Sequence, residues 1–407
     1  MNINLTNFGN QIKKVQLYLL LVYCFFLSLV PSISIISLIV LGVTLLIQRP
    51  TLRRNALFYS FISVYLLLVL GSFYSSDTTQ AFIELEQKLS LLIWPIALFA
   101  LPRLSQERKS RIFDSFIIGC VVAVGYRLVH AFWFYDTQNL LFSTPFSNQL
   151  FNSHPTFAAI YAAFAFFLLA DKVLFYKKKE INIWEQHKII AGLCLFLLYS
   201  SLFFYASRMA IITFTIVLIL ATIVSFYKKK RLIKGLFLIG FEILLILGSI
   251  QAVSWLAPAA QVKRGATTAK RFERLQHKNT RVEIWKSAWG SFQSKPILGT
   301  GTGDVKDDLL AQYQARNFKY GIKNKYDAHN QYIEIALVIG FIGLLLFLLS
   351  LLLPFWIAFQ QKEYLYLIFL MLFGLSCLTE NILENQEGVL FYSFFNSFFA
   401  CHFFRRV

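Results

Sequence analysis

The chain has 407 residues, 57% of them hydrophobic and only 15% charged, with 39 Lys and Arg against 21 Asp and Glu, a formal net charge of +18. A soluble globular protein of this length does not carry that balance, so the composition points to an all-α, polytopic membrane protein. The basic residues cluster between apolar runs, which favours membrane orientation and anionic lipid or phosphate, and argues against nucleic acid as a partner.

Lys13-Lys14 ahead of the first apolar run resembles the start of a signal peptide. The run is long, lacks a small-x-small cleavage site and is followed at once by another, so it reads as an uncleaved first helix. Apolar runs fall at 14–31, 32–48, 55–74, 88–102, 112–134, 155–176, 188–206, 209–227, 232–256, 329–353, 364–382 and 388–404. They predict about twelve spans, the fourth of them short and tilted or partly interfacial. The five cysteines (Cys24, Cys120, Cys194, Cys377, Cys401) lie inside these runs without metal-ligand spacing. They read as packing thiols, with no disulfide and no metal site.

Basic residues recur at every second connection: Lys13-Lys14; Arg49, Arg53 and Arg54; Arg103 to Arg111; Lys177 to Lys179; Lys228 to Arg231; Lys362; Arg405-Arg406. The intervening connections are poor in Lys and Arg. The positive-inside rule then puts both termini in the cytoplasm and places the long stretch 257–328 outside by parity. The expected organisation is 1–256 with spans one to nine, 257–328 as a large, partly helical external loop, and 329–407 with the last three spans. No fixed-period repeat and no pair of matching broken halves, as in many transporters, is visible. A lipid or anion transporter would also carry charges deep in its spans, and Glu242 is the main residue of that kind.

The external loop holds 14 Lys and Arg against 6 acids, an excess of +8 that includes Arg274. Topology does not require this excess; an anionic substrate accounts for it, with attraction to lipid head groups as the plainer reading. Within the loop, residues 280–289 predict an amphipathic helix with Arg281, Trp285 and Trp289 on one face, the tryptophans at the bilayer surface and Arg281 at head-group depth. A guanidinium there can grip a phosphate through two parallel hydrogen bonds. The stretch 295–303 is a glycine-rich turn that reads either as close backbone approach to a glycan or phosphate, or as an ordinary turn. It lacks the Lys-Ser/Thr of a nucleotide loop. Asp304, Asp307 and Asp308 read as salt-bridge partners rather than metal ligands.

Arg208 sits between two apolar runs with almost no loop around it, where a charge either serves function or snorkels to the interface. His154, followed by Pro155, opens the sixth span as a second polar group of a site or as a cap. His329 stands where the external loop enters the tenth span. On a helix it would share a stripe with Tyr332, Ile333, Ala336, Gly340 and Gly343, the glycines admitting a neighbouring helix. A histidine in that place can take a proton near neutral pH. Glu380, Glu384 and Glu387 near the end of the eleventh run are candidates to pair with the arginines or to orient His329.

His329-Asn330 followed by Gly340-x-x-Gly343 resembles the His-Asn/Ser/Gln…Gly-x-x-Gly signature of bacterial O-antigen ligases. Ser207-Arg208 and Thr280-Arg281…Trp285 resemble that family's arginine positions, and Pro296…Gly299-x-Gly301-x-Gly303 the turn of the wider ligase and polymerase superfamily. The resemblance implies a GT-C-like, inverting glycosyltransferase without metal, nucleotide or other cofactor. It would move glycan from undecaprenyl diphosphate to a lipid A core hydroxyl at the periplasmic face of the inner membrane. On the same ground His329 would be the catalytic base, Arg208 and Arg281 would bind the diphosphate, and Asn330 would support the histidine or the sugar. His154, Trp285, Arg274, Glu380 and Glu384 stand as supporting positions. An O-antigen polymerase is the alternative from the same superfamily.

Overall fold

The computed structural model describes residues 5–133, 154–174, 183–205, 207–228, 232–262 and 280–404, and among them it is all-helical, with no strand. In chain order the helices are α1 (Leu5–Phe26), α2 (Pro31–Gln48), α3 (Ala56–Ser72), α4 (Thr78–Lys88), α5 (Ser90–Ala100), α6 (Gln106–Trp133), α7 (Pro155–Leu174), α8 (Ile183–Gln186) and α9 (Lys188–Phe204). They continue with α10 (Arg208–Lys228), α11 (Leu232–Val262), α12 (Thr280–Ser294), α13 (Val305–Ala315), α14 (Lys319–Asn324), α15 (Gln331–Gln361), α16 (Tyr364–Ser376), a 3-10 turn (Ile382–Glu384) and α17 (Gln386–His402). Each of the twelve apolar runs falls on a helix. Five stretches are long and apolar enough to cross a bilayer: Pro31–Gln48, Gln106–His130, Pro155–Leu174, Arg208–Tyr227 and Gln331–Gln361. The protein is therefore a multi-pass membrane protein. The expected fourth span, 88–102, falls on α5, which follows α4 at Leu89 and has only 11 residues. At 1.5 Å per residue that is about 16 Å, half of a hydrocarbon core.

The helices form two compact units: residues 1–48 with 104–266, and residues 49–103 with 267–407. In the first, α1 lies on α2 and α6, and α9 on α7. Gln16 of α1 donates to Thr44 (3.2 Å) and Gln48 (2.9 Å) of α2, the kind of polar contact that holds apolar helices together. Arg127, buried within α6, donates to the Tyr205 hydroxyl at 2.9 Å and lies over its ring. Glu242 of α11 accepts from Thr222 of α10 at 2.8 Å.

In the second unit α17 packs on α5 and α15 on α3. The core is aromatic: Trp94 meets Phe394 edge-on at 4.7 Å, and Tyr366 stacks on Phe399 at 4.9 Å. Arg53, read in the sequence as an orientation signal, also closes the end of α5. It donates to the carbonyls of Leu98, Phe99 and Leu101 at 2.6–3.2 Å, taking acceptors that the helix end leaves open.

α15 is broken in its interior. Ile339 (φ −128°) and Gly340 (φ +67°) leave helical geometry, so the carbonyls of Leu337 and Val338 lose their intrahelical donors. The glycine-rich stretch supplies replacements: Thr300 N–H donates to Leu337 O at 2.8 Å and Gly301 N–H to Val338 O at 3.0 Å, while Phe341 N–H donates to Pro296 O at 2.9 Å. The turn at 295–303 is thus a patch on a discontinuous helix. The close approach admitted by Gly340 is that of the Ile297 backbone, not of a neighbouring helix, which corrects the expected role of this glycine. Irregular backbone inside an apolar setting persists only when its polar groups are met in this way.

A β-carbon at position 340 would combine a left-handed φ with a clash against the Ile297 carbonyl. Gly340→Ala is expected to destabilise the protein by about 1–3 kcal/mol, read as a lower midpoint in detergent thermal unfolding. Gly42→Ala, where a β-carbon meets open space, is expected to leave the midpoint unchanged or raise it.

Candidate active site

The site is built around the turn 326–330 between α14 and α15, within the second unit. His329 is not on the helix. It adopts φ +47° and stands two residues before α15, whose N-cap is Asn330. The expected stripe of His329 with Tyr332 and Ala336 is therefore corrected: asparagine at a helix start prefers the cap, which leaves the histidine in the turn outside. The Asn330 side-chain oxygen accepts from Tyr332 N–H (3.0 Å) and Ile333 N–H (3.1 Å), and its amide nitrogen donates to Leu378 O at 2.9 Å.

Three elements hold this turn. From α12, the Trp285 indole N–H donates to Ala328 O at 3.0 Å. From α15, the buried Glu334 carboxylate accepts from Ala328 N–H (3.1 Å) and from the Asn381 amide (2.9 Å). From the segment after α16, Asn381 accepts Asn330 N–H at 2.6 Å and Cys377 O accepts Gln331 N–H at 2.8 Å. Buried polar groups so interlinked resist displacement. They fix the backbone on both sides of His329 while its side chain keeps 35% exposure.

Three charged side chains belong to this part of the structure. Asp327 Oδ1 lies 3.1 Å from His329 Nδ1 and accepts His329 N–H at 3.0 Å. Glu380, just past the end of α16, has a carboxyl that burial pushes above the usual range, with His329 and Arg281 drawing it back down. Arg281, exposed on the first turn of α12, lies 3.7 Å from Glu380. That separation exceeds a hydrogen bond, so the guanidinium remains open to another anion. Arg281, Trp285 and Trp289 share the exposed face of α12, as their spacing predicts, while Ile284, Ser287, Ala288 and Ser291 are buried.

His329, Asn330, Arg281, Trp285 and Glu380 thus come together in one unit. Glu384 stands apart from the imidazole, its carboxylate taken by Lys88 at 2.6 Å. Lys88 also pairs with Glu84 at 2.7 Å, and Glu84 with Lys306 at 3.1 Å. The two lysines hold the Glu84 carboxyl down at about 2 against its burial. Asp304 accepts the N–H groups of Ser76 and Asp77, both at 2.8 Å, which gives it a structural task. Arg208 is the exposed first residue of α10 in the other unit. His154, also there, precedes α7, and its Nδ1 lies 3.4 Å from Thr156 N–H, as a cap would. Arg274 falls outside the described residues.

Residues 193–348 match the family model described as O-antigen ligase. The match makes that stretch similar to O-antigen ligases. It includes Arg208, Arg281, Trp285, His329 and Asn330, and the helix break with its glycine-rich patch. Glu380, Glu384, Lys88 and His154 lie beyond the matched stretch. No curated protein matches the chain. The family supports a membrane-bound, glycosyltransferase-like enzyme of the ligase or polymerase type.

Several residues of the site escaped the sequence reading. Asp327 had a local signal, since an aspartate two residues before a strained position commonly accepts a backbone N–H. The Glu84–Lys88 pair had the i,i+4 spacing of a helical ion pair, whereas the links of Asn381 to Asn330 and Glu334 and of Lys88 to Glu384 had no local signal, because those partners lie far away along the chain.

Removing Lys88 leaves two buried carboxylates facing each other. Lys88→Met is expected to cost about 3–5 kcal/mol, seen as loss of folded protein from membranes. The pH dependence has a definite sign. The Glu84 carboxyl is lowered on folding from 4.5 to about 2, so its contribution is present above pH 4.5 and fades as pH falls toward 2. Glu84→Gln is expected to flatten the acid side of a stability-against-pH curve in that window.

Proposed function

We propose that the chain is an inverting, metal-independent O-antigen ligase. It transfers glycan from undecaprenyl diphosphate to a lipid A core sugar hydroxyl at the periplasmic face of the bacterial inner membrane. The observation that carries the reading is the meeting, within one unit, of a part-exposed imidazole and an incompletely paired guanidinium beside one carboxylate. His329 acts as general base on the acceptor hydroxyl. The oxygen attacks the anomeric carbon from the face opposite the diphosphate, which inverts that centre. The leaving diphosphate departs as a stable anion and needs no general acid; Arg281 absorbs the charge that develops on it. Arg208 carries a second phosphate-binding role on sequence grounds. Trp285 and Asn330 set the position of the histidine's turn rather than touching substrate. The surroundings of the reaction follow the same reading: both termini cytoplasmic, and 257–328 a periplasmic loop between nine spans and three.

The test is transfer in liposomes that hold the full chain, lipid-linked glycan and lipid A core, without ATP. His329→Ala is expected to lower kcat by about 10²–10⁴-fold at unchanged protein level, and Arg281→Ala to raise KM for the donor as well as lower kcat. Transfer at the wild-type rate by His329→Ala overturns the proposal. Cells lacking the protein are expected to keep long glycan on the carrier. Single repeat units capping the core would instead assign a polymerase.

A further inference from the structure

We infer that Asp327 is a positioning residue for His329, fixing both the tautomer and the direction of the imidazole so that Nε2 is the proton acceptor; this deepens the proposed function and rests on it. Two contacts of one carboxylate oxygen carry the inference. Asp327 Oδ1 accepts the His329 backbone N–H at 3.0 Å and lies 3.1 Å from Nδ1. The first contact closes a local turn and stabilises the left-handed φ of +47° at His329. The second places the ring. An imidazole whose Nδ1 faces a carboxylate keeps its proton there, which leaves the Nε2 lone pair free. The Tyr326 ring, 5.8 Å from the imidazole centroid, lies against it as well.

Neighbouring residues keep Asp327 from drifting. Ala328, between it and His329, is held through both of its peptide groups, its N–H by Glu334 and its carbonyl by Trp285. Aspartate and histidine therefore flank one residue whose two peptides are both fixed. In the transfer step Nε2 takes the acceptor proton, the hydroxyl oxygen forms the bond to the anomeric carbon, and the bond from that carbon to the diphosphate oxygen breaks with its electron pair on the diphosphate. The proton remains on the imidazole, now a cation, and Asp327 stabilises that cation as it forms.

The groups beside His329 are Asp327 and Tyr326 from the turn and Glu380 from the segment after α16, with Arg281 of α12 next to Glu380 and Glu334 of α15 beyond Ala328. Asp327 is the carboxylate that touches the ring itself.

Asp327→Asn keeps an oxygen for the His329 backbone N–H and so spares the turn. In the liposome assay, kcat is expected to fall about tenfold or more and KM for the donor to stay within twofold. Placed in a His329→Ala background, the same change is expected to cause no additional loss, because a residue that acts through another adds nothing once that other is gone. A kcat within twofold of wild type overturns the inference, as does an equal further loss in the His329→Ala background. Should Asp327→Asn not reach the membrane, Asp327→Glu serves: the charge is kept but the carboxylate is displaced from Nδ1, so kcat is expected to fall with KM for the donor within twofold, and a kcat within twofold of wild type overturns the inference. Transfer that survives His329→Ala removes the proposed function itself, an outcome separate from these.

Discussion

In hydrocarbon, a backbone amide or carbonyl without a partner costs several kcal/mol, and helices satisfy this by pairing every group internally. Among the described residues, the second unit departs from that solution inside α15, at Ile339–Gly340, and much around it follows from the repair. Two carbonyls and one N–H released by the break are met by residues 296–301, which must therefore reach into the interior beside α15. Gly299 and Gly340 exist for this meeting, each at positive φ and each facing the other's backbone. The descending segment is tied in turn to α3, where Thr302 donates to Leu68 O at 2.6 Å, and Asp304 closes the turn that opens α4. One irregularity thus fixes α12, α13 and the N-terminal half of α15 on a common frame.

On that frame the histidine turn is held rather than loose. Its peptides are engaged by Trp285, Glu334 and Asn381, all from different segments, while the imidazole stays part-exposed. The arrangement separates two tasks: those three side chains keep the turn in place, and Asp327, Glu380 and Arg281 bring charge to it. In the proposed reaction, charges held in this way would meet developing charge without reorganising.

Helix positions were legible because desolvation imposes them: every apolar run in the chain lies on a helix. The face of α12 was legible for the same kind of reason, since spacing by four puts Arg281, Trp285 and Trp289 together whatever their surroundings. The position of His329 at a helix boundary was readable from the change in composition, yet its place on the helix was misjudged. Asn330 competed for the cap and won, as its side-chain chemistry favours. Gly340 looked like a small residue for helix packing, because a pattern of small residues does not reveal the sign of φ. The pairing of residues 49–103 with 267–407 had no trace in hydropathy at all, since it depends on which apolar surfaces meet and not on how apolar they are.

That pairing has a temporal side. Lys88 and Glu384 stand 296 residues apart in the chain. At about 5–20 residues per second of synthesis, the lysine waits roughly 15–60 s for its distant partner. During that interval Glu84, one turn earlier on α4, is the companion available to it. Nascent α3–α5 must therefore persist in a provisional arrangement until Glu384 and then α17, which packs on α5, are made.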